Sequence, residues 1–256
     1  MQELKEKVAI ITGATSGIGR AAAIKFAEAG AKIAAVGRNT ENLATLQKQI
    51  EDSGGVVTTI RADVTVESDA QKIVENTIEN YGQIDVLINA AGIISNGTVE
   101  NTSLGDWDEM MNINLRSVFV LMQKCLPHLE KTKGNVVSVS SVAGLRSFPG
   151  ILAYCVSKAA LDQFTRCTSL ELAPKGIRVN AVNPGVVVTD IHKRGGMNED
   201  AYAAFLEKSK QTHPIGRVGS AEEVADLILF LASEKAGWIT GVTYSIDGGR
   251  ANTAAR

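Results

Sequence analysis

Short apolar runs alternate with longer amphipathic stretches along almost the whole chain. Val8–Thr12 reads VAIIT, and Lys32–Gly37, Val56–Arg61, Val86–Asn89, Asn135–Ser140, Arg178–Val182 and Thr243–Ile246 repeat the type. They are rich in Val, Ile and Thr, and several show little polar alternation, as strands covered on both faces of a parallel sheet require. Between them, helical spacing predicts helices over Gly17–Ala29, Glu41–Asp52, Glu67–Tyr81, Leu104–Pro127, Tyr154–Ala173 and Ala221–Ala232. Ser103-Leu-Gly-Asp106 and Ser220-Ala-Glu-Glu223 read as capping boxes, in which a hydroxyl and a carboxylate satisfy the free N–H groups of a helix start. Strand, helix, strand repeated this often predicts a Rossmann-type α/β fold: a doubly wound, parallel, seven-stranded sheet with helices on both faces. No linker, repeat or low-complexity tract divides the chain, so residues 1–256 are expected to form a single domain. Asp190–His213 breaks the rhythm: it is polar, carries Gly195-Gly196 and has a short helical stretch around Ala201–Lys210. An insertion after a strand's carboxyl end sits where ligands bind in such folds, so the expectation is a mobile substrate lid; a plain surface loop is the alternative.

The 256 residues suffice for one large core, and 45% hydrophobic with 21% charged residues excludes a disordered or fibrous chain. Lys and Arg total 26 against 28 Asp and Glu, a net charge of -2. That balance gives no footprint for nucleic acid and no polybasic membrane patch. The apolar runs are far short of a bilayer span, so no transmembrane helix is expected. The start, MQELKEKVAIITG, lacks the apolar core and cleavage site of a secretory signal. Cys125, Cys155 and Cys167 are odd in number without paired spacing, which favours reduced thiols. His128, His192 and His213 have no metal-ligand spacing, so no zinc site is expected. The simplest residence is the cytoplasm; mitochondrial or peroxisomal residence stays open, although the terminal Ala-Ala-Arg is not a peroxisomal address.

The first strand runs into Gly13-Ala-Thr15-Ser16-Gly17-Ile18-Gly19, and a helix follows. Glycines there let the backbone approach a pyrophosphate, and the helix start offers free N–H groups and a positive dipole end. The spacing is Gly-x3-Gly-x-Gly rather than the Gly-x-Gly-x-x-Gly of longer dehydrogenases. An NAD site usually has a carboxylate at the end of the second strand to bond the ribose hydroxyls. Here that end reads Val36-Gly37-Arg38. A guanidinium can bind a 2′-phosphate that a carboxylate would repel, so NADP(H) is expected over NAD(H), unless Arg38 is merely a solvated surface residue. After the third strand, Asp63 and Val64 can pair with the adenine edge. After the fourth, Asn89-Ala90-Ala91-Gly92 leaves room for a ribose against the backbone, and the Asn89 amide can tie adjacent strands.

Tyr154 and Lys158 stand four apart at the start of a predicted helix and share a face. Ser141 follows the fifth strand and projects over the sheet's carboxyl edge; alternation sends Ser140 to the other face. Asn114 lies on the preceding helix. Taken in order, Thr12–Gly19, Asp63, Asn89-Ala-Ala-Gly92, Asn114, Ser141, Tyr154-x3-Lys158, Pro184-Gly185 and Ser245-Ile-Asp-Gly-Gly249 resemble the short-chain dehydrogenase/reductase family, in its compact single-domain branch. The resemblance spans nearly the whole chain and is nearest to 3-oxoacyl-acyl-carrier-protein reductases and related carbonyl or hydroxysteroid reductases. Two departures stand out: Ala90, where many members have a second Asn, and the lack of a basic residue inside the glycine turn. The second leaves the cofactor assignment resting on Arg38.

The resemblance implies that Tyr154 is the general acid in reduction and the general base in oxidation. A free phenol has a pKa of about 10, so work as a base near neutrality requires a lower value. Lys158 would supply the favouring charge, aided by the cationic nicotinamide ring, and would bond the nicotinamide ribose. Ser141 would stabilise the developing alkoxide charge, and Asn114 would hold a water linking Lys158 to solvent. The backbone of Pro184, Gly185 and Val187 would hold the carboxamide, with Thr189 on the amide or phosphates.

The substrate is then a carbonyl or secondary alcohol. Ile93, Ile94, Ser95, Ala143, Leu145, Arg146, Phe148, Ile151 and the lid form mostly apolar walls suited to a lipid-like, acyl or steroid-like group. Arg146 either recognises an anionic substituent or faces water. An NAD-linked alcohol dehydrogenase working oxidatively and a catalytically silent nucleotide-binding protein are the rival readings. Members of the family are usually tetramers built through the two long helices and the last strand, and apolar Leu161, Phe164, Leu170 and Leu172 on several faces suit a homotetramer.

Overall fold

The computed structural model describes residues 3–253; the carboxyl-terminal Ala-Ala-Arg read for a targeting address lies outside them. In chain order the elements are β1 Val8–Thr12, α1 Gly17–Glu28, β2 Lys32–Gly37, α2 Thr40–Asp52, β3 Val56–Arg61, α3 Glu67–Tyr81 and β4 Val86–Asn89. They continue as α4 Leu104–Met111, α5 Ser117–Thr132, β5 Asn135–Val139, α6 Val142–Leu145, α7 Leu152–Leu172 and β6 Arg178–Pro184. The last are α8 Ile191–Arg194, α9 Glu199–Thr212, α10 Ala221–Ala232 and β7 Thr243–Ile246. The seven strands form one sheet in the order β3-β2-β1-β4-β5-β6-β7, with every pair parallel. This is the doubly wound single domain that the pattern predicts. The order reverses between β1 and β4, which opens a crevice at their carboxyl ends.

Successive side chains of each central strand feed opposite cores. Ile11, Ile33, Ile88, Val137 and Val182 pack beneath α1 and α10 with Phe26, Ile228 and Leu231. Ile10, Ala34, Leu87, Val136 and Val179, an odd number of residues away on the same strands, pack on the other face with Ile73, Leu121 and Cys125. Both faces being covered explains why β1 and β4 are buried throughout, without polar alternation.

Three local predictions need correction. The expected single helix over Leu104–Pro127 is two α-helices joined by a turn of π-helix at Asn112–Arg116, which buries Ile113 and Asn114. It also runs past Pro127 to Thr132, ending at Lys133 in a left-handed conformation (φ 51°). Gln123, whose carbonyl lacks an i+4 donor at Pro127, is solvent-exposed, so water can satisfy it. The second expected capping box is complete at Ser220 and Glu223. The first is not reciprocal: Ser103 Oγ accepts from the Asp106 N–H but donates to Asp106 Oδ2, a side chain one methylene shorter than glutamate.

Candidate functional site

The carboxyl ends of the strands border a cavity of about 560 Å³. At one end lies the glycine turn. Thr12 Oγ1 accepts from the Ala90 and Ala91 N–H groups, so the turn is fastened to the loop after β4. Gly13 has φ +66°, and a Cβ there would stand 2.8 Å from the Ala90 carbonyl oxygen. A Cβ on Gly19 would meet the Gly13 carbonyl at 2.4 Å, which explains the glycine by close packing of the helix start. Ser16 flanks α1 without a side-chain cap bond; its Oγ accepts from Arg194 Nη1 at 2.7 Å instead. Thr15, Ser16, Gly17 and Ile18 all line the cavity. A backbone cradle too tight for any side chain, leading into a helix start with no side-chain cap, fits a pyrophosphate.

Beyond the turn, Gly37 closes β2 where an acid would reach a ribose. A Cβ there would lie 2.4 Å from Thr15 Cγ2, so a carboxylate at this tip requires Thr15 to move. Arg38 is exposed, its Nη1 3.6 Å from Asp63 Oδ2. Asp63 Oδ1 accepts from both the N–H and hydroxyl of Thr65, and these bonds and Arg38 outweigh burial to lower its pKa. The Asp63 N–H is taken by Asp69 Oδ2 (2.7 Å), which leaves the neighbouring Val64 to present backbone to the cavity. Asn89 Nδ2 donates to Ser138 Oγ at 3.3 Å, tying β4 to β5.

At the other end stand Ser141, Tyr154 and Lys158, all buried. Ser141 Oγ accepts from the Ala143 N–H at 3.1 Å as the cap of α6, which leaves its proton free for another acceptor. Tyr154 lies in the first turn of α7. Burial pushes its phenol up to about 12, against the pull of the Ser141 hydroxyl and with the Cys155 thiol adding to the rise. Lys158 Nζ donates to the Val139 carbonyl at 2.8 Å and stands 5.7 Å from the Tyr154 ring centroid. Burial draws its ammonium down to about 8, opposed by the Asp162 carboxylate. The Lys158 ammonium is engaged by a backbone carbonyl, and burial is the largest influence on the Tyr154 phenol.

Asn114 is brought to this end by the π-helical turn. Its Oδ1 accepts from the Ile93 N–H at 2.9 Å, and its Nδ2 donates to the Ile93 carbonyl and Ser157 Oγ, each at 3.0 Å. A Cβ on Gly92 would lie 3.3 Å from Asn114 Oδ1 and 3.6 Å from Lys158 Nζ, so the glycine keeps the space between them open. Past Pro184, the N–H groups of Gly185, Val186, Val188 and Thr189 are bonded to the Ile246 carbonyl, His213 Nε2, the Gly219 carbonyl and the Tyr202 hydroxyl. Within the described residues, only the Val187 N–H of that run remains for a ligand. The Thr189 methyl sits over Gly17, 3.0 Å from where its Cβ would be.

The segment after Thr189 is not a plain loop. It folds into α8 and α9, held by the buried Tyr202, whose hydroxyl donates to the Thr189 carbonyl, and by the Arg194 bond to Ser16. Of the expected walls, Ile93, Ile94, Ser95, Ala143, Phe148 and Ile151 line the cavity. Leu145 and Arg146 do not: Leu145 is exposed at the end of α6, and Arg146 reaches away to the Arg250 carbonyl. Sequence reasoning missed Asp162 and Asn183. Asn183 Nδ2 donates to both the Ser141 carbonyl (2.9 Å) and Asp162 Oδ2 (2.8 Å), fixing Ser141 and the carboxylate under α7. Asp162 stands one turn beyond Lys158, a spacing visible in the sequence. His192, Met197, Phe205 and Arg250 also line the cavity, and no local spacing announces them. All three cysteines are unpaired, and no metal-ligand cluster occurs among the described residues.

A family model described as enoyl-(acyl carrier protein) reductase matches residues 13–251. The chain is 40% identical over 247 residues to a 3-oxoacyl-[acyl-carrier-protein] reductase FabG of Thermotoga maritima, covering 96% of this chain and 98% of that protein. It is 34% identical to a 2,5-dichloro-2,5-cyclohexadiene-1,4-diol dehydrogenase LinX of Sphingobium indicum, covering 96% of each. It is also similar to a crystal structure, with cofactor, of a short-chain dehydrogenase/reductase of unknown function from Caenorhabditis elegans. That match has a TM-score of 0.93 at 38% identity and covers 98% of this chain and 97% of the other. With this sheet order and with relatives of this similarity spanning its length, the chain belongs to the short-chain dehydrogenase/reductase family, as an oxidoreductase acting on the carbonyl–alcohol pair.

Proposed function

We propose that the protein is an NADP(H)-dependent reductase of a carbonyl on an acyl or lipid-like substrate. The observation that carries this reading is the buried Tyr154 beside Ser141 at the apolar end of the cavity. A phenol held at about 12 is protonated throughout the neutral range and suits donation to an oxygen that is becoming an alkoxide. The same group takes the proton back in alcohol oxidation, so the direction of turnover follows the balance of nicotinamide and substrate. The bound nicotinamide supplies the hydride. Ser141 donates its free proton to the substrate oxygen and stabilises the charge developing there. Lys158, drawn to about 8, exchanges protons near neutrality and can restore the Tyr154 proton, with the space beside Gly92 and Asn114 Oδ1 holding the linking water. Gly13–Gly19 would hold the pyrophosphate, Val64 the adenine, and the Val187 N–H the carboxamide. We assign Asp190–His213 as the substrate lid.

Support for NADP(H) is the crowded Gly37, where an acid would displace Thr15, next to the exposed Arg38 guanidinium, whose pairing with Asp63 at 3.6 Å is loose enough to give way to a phosphate. The test compares kcat/KM for NADPH and NADH in the wild type, Arg38→Leu and Thr15→Ala/Gly37→Asp/Arg38→Leu, with an acetoacetyl thioester as substrate. The NADPH preference is expected to fall at least tenfold in Arg38→Leu and to invert in the triple variant. An unchanged ratio overturns the cofactor assignment, and reduction of a crotonyl thioester in place of the 3-oxo compound overturns the reaction. The same reading takes the protein as a cytoplasmic homotetramer; no helix of the described residues is long and apolar enough to cross a membrane.

A further inference from the structure

Two guanidinium groups gather at the Phe148 ring. Arg250 Cζ lies 5.0 Å from the ring centroid and Arg146 Cζ 5.9 Å. Phe148 packs on the buried cluster that contains Tyr154, and Arg250 lines the cavity that Tyr154 and Ser141 share. The two arginines are used differently. Arg146 Nη1 donates to the Arg250 carbonyl at 2.6 Å and to Thr253 Oγ1 at 3.4 Å, so it holds the segment that carries Arg250. Arg250 Nη1 donates to Thr212 Oγ1 at 2.5 Å, while its Nε is buried without an acceptor.

The carboxylate of Asp247 does not complete Arg250. Asp247 acts on it through its field, but Asp247 Oδ1 accepts from the Gly249 N–H and Oδ2 from the Ala251 N–H. Among the described residues neither arginine takes part in an ion pair. Burial and the Arg146 charge both work against the Arg250 cation. Two like charges gathered at one ring, one of them short of acceptors, favour an anion that takes up the unused donors.

We propose that Arg250 binds an anionic group of the substrate, a carboxylate or a phosphate ester, with Phe148 separating it from the carbonyl that Tyr154 protonates. The substrate is then an oxo acid or an oxo phosphate ester with a short apolar spacer, and Arg146 is a positioning residue. The assignment deepens the carbonyl-reductase reading and rests on it. The site is distinct from the cofactor's phosphate end, where Arg194 meets the glycine turn.

Calorimetric titration of malonate and of inorganic phosphate into the protein with saturating NADP⁺ tests it, on the wild type, Arg250→Gln and Arg250→Lys. At least one anion is expected to bind the wild type, at least tenfold more weakly to Arg250→Gln, with much of the loss restored in Arg250→Lys. Binding of malonate alone assigns a carboxylate, and of phosphate alone a phosphate ester. Equal binding to wild type and Arg250→Gln, or no binding of either anion to the wild type, overturns the proposal. Thermal melts establish that the variants fold, and Arg250→Lys keeps the charge should Arg250→Gln not fold. A kinetic arm compares acetoacetate with methyl acetoacetate: the ratio of kcat/KM for acid over ester is expected to fall at least tenfold in Arg250→Gln. Anion binding lost in Arg250→Gln without reduction of any ketone by the wild type would sink the reductase reading while leaving the site. Reduction with an unchanged ratio would do the reverse.

Discussion

Tyr154, Lys158 and Asp162 occupy successive turns of one face of α7, and Lys158 and Asp162 act on each other's charge. The Asp162 carboxylate raises the Lys158 pKa against the larger effect of burial. Replacing Asp162 with Asn removes that support, so Lys158 loses its proton at a lower pH. The alkaline limb of kcat/KM for reduction is then expected to move down from about 8, with the rate at pH 8 falling by about threefold or more. A pH profile superposable on that of the wild type would contradict this coupling. The spacing of Tyr154 and Lys158 was legible because a shared helix face is a local property of the chain. Asp162 was equally near, but a carboxylate on a helix reads as a solvent contact until burial is known. Arg194 and Ser16 meet across 178 residues, and no local pattern carries such a pairing.

The elements that position these residues are legible where the signal is periodic. All seven strands fall where the apolar runs lie; burial on both faces gives β1 and β4 their continuous buried runs, while the edge strands β3 and β7 are partly exposed. The π-helical turn at Asn112–Arg116 was not legible: one extra residue per turn leaves the apolar period almost intact while rotating Asn114 into the site. Short α6 and α8, of four residues each, carry too little period to be found at all. The turn gives Asn114 a structural load as well as a place in the proton path. Asn114→Ala removes the partner of the part-buried Ile93 N–H and carbonyl and one donor from the Ser157 Oγ, which keeps its bond to the Tyr154 carbonyl, for an expected loss of about 1–3 kcal/mol. Urea denaturation measures it; a loss below about 0.5 kcal/mol would show that water replaces the amide without cost.

At the scale of the molecule, the crevice between β1 and β4 follows from the strand order, and that order was implied by alternating strands and helices. Which outer surfaces remain uncovered was not. Leu104, Leu170 and Trp238 are exposed at 83%, 79% and 98%, and Phe119 of α5 meets Phe164 of α7 edge-on at a half-exposed seam. Large exposed and half-exposed apolar side chains, among them Leu170, Phe119 and Phe164 on the long helices α5 and α7, are what a subunit contact would cover. The proposed homotetramer is expected to give about four times the 27.1 kDa chain mass by light scattering at micromolar concentration. A monomeric mass would show that these faces stand in water.

The central claim is that the Tyr154 phenol gives its proton to a substrate oxygen during reduction. Its most direct measurement is NADPH consumption with a 3-oxoacyl thioester by the wild type and Tyr154→Phe, alongside fluorescence titration of NADPH binding. The expected result is a loss of kcat of about 10²–10⁴-fold, with cofactor affinity nearly unchanged. Turnover by Tyr154→Phe within tenfold of the wild type would contradict the account.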